Sequence, residues 1–361
     1  MFNFILFLFI LFFGTFLISN TDTFKNPKKA MLIYSFVVIT LFLGGIDARL
    51  QGGDVSSYYA HYFEARGLSF AEYSKLTSFE VGYKIFTWIV ANTIPYPQVF
   101  MYLQYAFINL VFLIFIYKNT CDYFVSLVAY ICLGQFLFYF TALRQGIACA
   151  ISLIAIMQMQ KGKTVKPILL ILLANLFHQT ALVFLPVFFI RKMKLDFHSI
   201  LLFSVAATTV SYFFESFVKI ANDRFDMKYE NAAGYTAFGA IINIAIYIAL
   251  LFLFNICYQT ADETQKRNLQ KQNYTLFMSV TGFLLYLMRF RVLALERVSF
   301  YYLPALAPLS SYCVNEEVIG DKISKFSLHL KTFFILLSLV LVIFRVKHTF
   351  DGIHLIYWHY F

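Results

Sequence analysis

Apolar stretches recur along most of this chain, separated by short polar breaks. They cover 2–19, 31–46, 98–117, 122–140, 143–160, 198–219, 236–258, 274–290, 299–314 and 331–346. A helix needs about 20 mostly apolar residues to cross a hydrocarbon core ~30 Å thick, so these stretches predict spans. Two others fit less well. Segment 81–94 is short and carries Lys84, and segment 167–190 is long, with His178 at its middle and Pro186 near its end. The predicted fold is an all-α polytopic integral membrane protein. It has about 10–12 transmembrane helices, some of them re-entrant or half-helices, in one membrane domain over 1–361.

Composition agrees. Of 361 residues 60% are hydrophobic and 13% charged, whereas a soluble domain is roughly 25% charged. The 45 Phe and 25 Tyr are more aromatic surface than a soluble core of this size hides; a bundle whose outer face meets lipid has no need to hide it. The formal charge of +10 would suit nucleic acid, but the Lys and Arg sit in short clusters between apolar runs. That is how basic residues orient spans, so no nucleic-acid partner is expected. Five scattered cysteines without a CxxC pair suggest neither zinc nor a disulfide framework. The first nineteen residues have no basic leader and no evident cleavage site, and are read as a retained span.

Loop charge sets orientation. Lys25, Lys28 and Lys29 put the first loop in the cytoplasm, and strict alternation from there would expose Lys161, Lys163 and Lys166 outside. Treating 81–94 as a re-entrant or interfacial helix within an extracytoplasmic segment, 47–97, removes the conflict. Lys161–Lys166 and Arg191–Lys194 then both become cytoplasmic, so 167–190 must enter and leave on one side as a half-helix hairpin turning near His178. A twelve-span chain with one misoriented basic loop is the rival. In the first topology the outer side holds Arg49, Arg66, Arg144, Arg224, Arg289, Arg291, Arg297 and Arg345, while the inner loops are mostly Lys. Topology needs only charge; Arg adds a planar fork that grips phosphate oxygens bidentately. Chance and interfacial snorkelling are the bland explanation.

Several constellations carry possible chemistry. Arg49, Asp54, Tyr58, Glu80 and Tyr83 frame the outer segment. Carboxylates accept from sugar hydroxyls and rings stack on sugar faces, although a solvated loop with interfacial Tyr is common. Arg144-Gln145 opens an apolar helix, with Thr141 as its expected N-cap. A helix start plus Arg makes an anion site, unless Arg144 is simply paired with Glu80 or Asp54. His178 is an ionisable group at membrane depth, a candidate for proton transfer or a satisfied core histidine. Arg289, Arg291, Glu296, Arg297 and Tyr301 cluster between two spans; Arg297 and Tyr301, four apart, should share a helical face. The three arginines read as a diphosphate clamp, or as a cytoplasmic topology signal if the parity is wrong. The chain carries no DxD, P-loop or dinucleotide fingerprint.

The ordered set GlyGlyAsp-x3-TyrTyr (52–59), Phe-Glu-x-Gly-Tyr (79–83), Arg-Gln-Gly-Ile-Ala (144–148), Phe-His-Gln-Thr-Ala-Leu (177–182) and Glu-Arg-x3-Tyr (296–301) resembles the EpsG family. Its members are Wzy-like polymerases of exopolysaccharide, capsule and O-antigen. The resemblance covers roughly 45–305. It implies a GT-C-like or Wzy-like bundle in the bacterial inner (cytoplasmic) membrane. The implied substrate is an oligosaccharide repeat unit on a polyprenyl (undecaprenyl) diphosphate, joined at the outer face without metal or other cofactor. A chain-length regulator and a flippase are implied partners beside membrane lipid. By that likeness Arg144, Gln145, Arg289, Arg291 and Arg297 hold the diphosphate. Asp54, Glu80 and His178 are the catalytic candidates, and Arg49, Tyr58, Tyr83 and Tyr301 contact sugar.

Two other functions remain open. A lipid-linked oligosaccharide flippase or other transporter would also bury Arg and acids, but with charge in both leaflets and internal symmetry. A membrane O-acyltransferase of the class with a His in its first span is disfavoured, because the first histidine, His61, lies in a loop.

Overall fold

The computed structural model describes residues 2–48, 54–190, 205, 209, 237–260, 263, 266, 273–290, 294–315 and 321–349. Among these every extended element is helical and no strand forms. The described chain divides into two compact units: Met1–Lys118, Ile131–Leu182 and Leu337–Phe361 form the first, and Asn119–Tyr130 with Val183–Leu336 the second.

The first unit opens with a helical hairpin, α1 (Phe2–Ser19) and α2 (Pro27–Gly44). Pro27 stands in the first turn of α2, where its missing N–H is not needed, and the Asn26 side chain caps the helix by accepting from Lys29 N at 2.9 Å. Three shorter helices follow: α3 (Asp54–Ala65), α4 (Phe70–Leu76) and α5 (Val81–Thr93). α3 buries Val55, Tyr58, Tyr62 and Ala65 along one stripe against α5. α4 starts with a reciprocal Ser69–Glu72 capping box. The Trp88 indole donates to Leu68 O at 2.8 Å and the Asn92 amide to Ala65 O at 3.0 Å, tying α5 to the α3–α4 turn. Lys84, awkward for a span, donates to Ser74 O at 2.9 Å. With 13 residues, α5 is about 20 Å long, well short of a ~30 Å core.

The long α6 (Pro97–Asn119) precedes α7 (Tyr123–Cys132), α8 (Gln135–Thr141), α9 (Leu143–Met159) and α10 (Val165–Asn175), which packs along α9. The expected single span 122–140 is instead broken: α7 and α8 meet at 53°. Gly134 sits at the break with φ 93°, a left-handed conformation that glycine adopts at no steric cost. After α10 the helix stops. Residues 176–178 turn, and a 3₁₀ segment Gln179–Phe184 leads to the short α11 (Val187–Ile190).

The second unit contains α12 (Ala237–Thr260), α13 (Asn273–Leu287), α14 (Ala294–Ser299), α15 (Leu306–Val314) and the start of α16 (Asp321–Thr349). Here too an expected span is interrupted. Within 299–314 a 3₁₀ turn, Leu303–Ala305, precedes α15, with Pro304 at its start; proline cannot donate into a preceding helical turn.

Among the described residues four helices qualify as spans by length and apolarity: α1, α2, α6 and most of α12. The bent α7–α8 pair makes five. The other apolar segments, including 143–159, 165–175, 274–287 and 303–314, are shorter. Several of the apolar runs are broken or shortened in the structure, which a run of apolar residues alone does not reveal. Most of the expected span 198–219 lies outside the described residues. The protein is an all-α, multi-pass membrane protein.

Candidate functional site

Four sequence-distant segments of the first unit meet around one guanidinium. Arg144 lies in the first turn of α9. Its Nη1 donates to Glu80 Oε2 at 2.5 Å, and its carbon lies 4.1 Å from the centre of the Phe79 ring. The Tyr58 hydroxyl lies near enough to interact electrostatically with the same guanidinium. Arg144 Nε is buried without a hydrogen-bond partner among the described residues. A carboxylate on one edge and an aromatic ring below fix the plane of the fork, as salt-bridge and cation–π geometry require.

Glu80 is the N-cap residue of α5, with extended backbone, yet its carboxylate makes no cap to its own helix. It is spent on Arg144 and on Gln179 N, which donates to Oε1 at 3.2 Å. The two side chains retain 11% and 22% of their exposure, so the pair is largely withdrawn from water but still reachable. Two residues on, Gly82 N donates to Leu176 O at 2.8 Å. A Cβ at Gly82 would stand 2.7 Å from that oxygen, so only glycine lets the start of α5 approach the 176–180 turn this closely. In that turn His178 Nδ1 shares a 2.6 Å hydrogen bond with Thr180 Oγ1, and His178 is half-buried.

Rings wall the site. Phe79 packs against Tyr58, His61 and Tyr83 at centroid distances of 5.9, 4.4 and 5.5 Å. Tyr83 is fully buried and donates to Gln104 Oε1 at 2.8 Å. Burial pushes the Tyr58 hydroxyl above the ordinary phenol range, the Asp54 charge adds to this, and Arg144 opposes it. Tyr58 thus stays protonated at neutral pH.

The second unit holds another arginine constellation. Arg289 Nη1 donates to Glu296 Oε1 at 2.8 Å and to the Tyr286 hydroxyl at 2.9 Å. That hydroxyl also accepts from Asn243 Nδ2 at 2.8 Å, linking α12 to the Arg289 turn.

A sequence model of the EpsG family matches residues 31–358. The chain belongs to the EpsG family. EpsG proteins are Wzy-like polysaccharide polymerases, so the protein is of the polysaccharide-polymerase type. Comparison with curated proteins and with solved structures gives no match.

Within this EpsG protein the candidates divide. Tyr58, Glu80, Arg144 and His178 gather in one place, while Asp54 is exposed at the start of α3, four residues before Tyr58. Gln145 is buried beside Arg144. Arg49 and Arg291 lie outside the described residues. Four expectations need correcting. Thr141 does not cap α9: its hydroxyl donates back to Phe138 O at 3.1 Å, and Ala142 takes the cap position. Arg297 and Tyr301 share no helical face, because α14 ends at Ser299; Arg297 is exposed and Tyr301 buried against Phe184. Tyr83 and Tyr301 are wholly buried, so neither offers a ring face to a sugar.

Phe79 is a site residue that the motif Phe-Glu-x-Gly-Tyr contains without revealing its role: its ring carries the Arg144 guanidinium. Its position directly before Glu80 was the available signal. The Gly82–Leu176 contact had none, because sequence separation says nothing about a backbone approach.

Proposed function

We propose that this EpsG protein joins polyprenyl-diphosphate-linked oligosaccharide repeat units into a surface polysaccharide, by glycosyl transfer at the outer face of the bacterial inner membrane. The observation that carries this reading is the mounting of Arg144. Glu80 and Phe79 hold the guanidinium from one edge and one face, and Nε retains an unsatisfied donor. A guanidinium has five N–H donors; the remainder suit phosphate oxygens.

In the reaction an acceptor hydroxyl oxygen attacks the anomeric carbon of the donor sugar. The bond from that carbon to the diphosphate oxygen breaks, and polyprenyl diphosphate departs with the bonding electrons. Arg144 stabilises the charge that develops there, in surroundings drier than water, where such stabilisation is strongest. Gln145, Arg289, Arg291 and Arg297 are further candidates for contacts to the diphosphate. Because the Glu80 charge is already matched by Arg144, its carboxylate serves as the positioning group. His178, next to Gln179 and oriented by Thr180, takes the acceptor's proton. Asp54, exposed at the head of α3, is the carboxylate left for acceptor hydroxyls, and Tyr58 and Arg49 are the further candidates for sugar contacts. A flippase and a chain-length regulator are the partners this chemistry calls for.

The test is purified protein mixed with lipid-linked repeat units, without nucleotide sugar. A ladder of lengthened lipid-linked chains supports the polymerase. Movement of the lipid between leaflets of liposomes with no lengthening would make the protein a flippase instead.

A further inference from the structure

The α1–α2 hairpin carries a feature that the polymerase reading leaves unused. Where the two helices join, an open cavity of about 550 Å³ is lined by Ile18, Phe24, Ile33 and Val37 together with Lys25 and Lys29. The three lysines of this connection are not equivalent. Lys28 leans over the Tyr117 ring, 5.2 Å from its centre, whereas Lys25 and Lys29 are exposed. Neither of these two forms an ion pair among the described residues. The Asn26 side chain is already committed to Lys29 N, and the Tyr34 hydroxyl to Ile10 O at 2.6 Å. The polar character left at this cavity is thus positive.

Below the charge runs a hydrocarbon track. Lys29, Ile33, Val37 and Leu41 recur every four residues on α2, and Ile33, Val37 and Leu41 are 54%, 45% and 55% exposed. Residues at that spacing lie on one helical face. From Lys29 to Leu41 the track is about 18 Å long at 1.5 Å per residue. A cationic head above an apolar track of this length has the polarity of a phospholipid, reversed in sign at the head.

We propose that the joined ends of α1 and α2 bind an anionic bilayer phospholipid. Its phosphate sits between Lys25 and Lys29, and one acyl chain lies along Ile33, Val37 and Leu41. Ammonium point charges suit the single charge of a phosphodiester; a diphosphate is better matched by the bidentate fork of arginine. This inference is independent of the polymerase reading.

Native mass spectrometry of the full chain, released from detergent with phosphatidylglycerol or phosphatidylcholine, tests it. Phosphatidylglycerol should be retained at least tenfold more strongly. Lys25→Gln with Lys29→Gln should weaken its retention about 30-fold, from the loss of two near-surface cationic contacts. Ile33→Trp, which keeps both charges and fills the cavity, should also weaken it, so a folding defect in one variant does not decide the matter. Equal retention of the two lipids, or retention unchanged in both variants, would overturn the site. Displacement of phosphatidylglycerol by an equal concentration of inorganic phosphate or of a polyprenyl phosphate would also overturn it.

Discussion

The Glu80 carboxylate and the Arg144 guanidinium, 64 residues apart in sequence, form an ion pair that neither helix needs for its own termination. The N-cap Glu80 side chain makes no bond to its own helix. Instead it fixes an arginine at the start of α9.

Removing one partner of this pair should therefore cost stability as well as activity. Glu80→Ala is expected to destabilise the protein by about 1–3 kcal/mol, less than for a fully buried pair because both side chains keep some exposure. The Glu80→Ala/Arg144→Ala double variant should lose less than the sum of the single variants. Thermal unfolding in detergent of the four proteins measures the coupling; additive losses would mean the pair contributes nothing.

Gly82→Ala tests the other half of the site. The new methyl would stand 2.7 Å from Leu176 O and 2.9 Å from Leu176 Cβ, so the α5 start and the 176–180 turn must separate. The expected result is a loss of about 1–3 kcal/mol in stability, as for overpacking elsewhere, with a fall in polymerisation because Glu80 and His178 are carried by the two parts that move. Unchanged unfolding temperature and turnover would show that the approach is dispensable.

Alkaline pH should weaken the α3–α5 region. Burial pushes the Tyr73 hydroxyl on α4 up to about 12 from an ordinary value of 10.0. A phenol whose pKa is raised on folding contributes stability fully present below pH 10, and lost as pH rises towards 12, where only the unfolded chain has released the proton. Tyr73→Phe should flatten the loss of stability between pH 10 and 12 in detergent; an unchanged slope would assign that loss to other tyrosines.

The proposed outer-face chemistry makes a separate demand. Single cysteines introduced at 142 and at 293, in a background lacking the native five, should both react with a membrane-impermeant maleimide added to intact cells. A cysteine at 163 should react only after the membrane is opened. Labelling of 142 and 293 from opposite compartments would rule out one diphosphate served by Arg144 and the arginines at 289–297.

The membrane class was readable at once, because apolar runs and low charge leave no soluble alternative. So was the candidacy of Arg144 and His178, since each is a costly residue in apolar surroundings, and that of Glu80, an acid among tyrosines in the outer segment. What could not be read was which apolar residue faces protein. On α5 Tyr83, Thr87, Val90 and Ala91 form the buried stripe, while Val81, Ile85 and Ile89 are exposed. Both faces are apolar enough for lipid or protein, so hydrophobicity does not separate them, and Tyr83 was expected at the rim. The same blindness hid the break at Gly134, where a continuous apolar run bends by 53°. The Thr141 expectation failed for a local reason: a threonine at the end of one helix can return its hydroxyl to that helix instead of capping the next.

The most direct test of the account is the turnover of Arg144→Lys in the chain-lengthening assay with saturating lipid-linked repeat units. Lysine keeps the charge but has neither the fork nor the flat face that rests on Phe79. Loss of one donor to a developing anion typically lowers turnover 10²–10³-fold. A fall of about 100-fold or more in a variant that remains folded is the predicted result. Turnover within about threefold of the unsubstituted protein would contradict it.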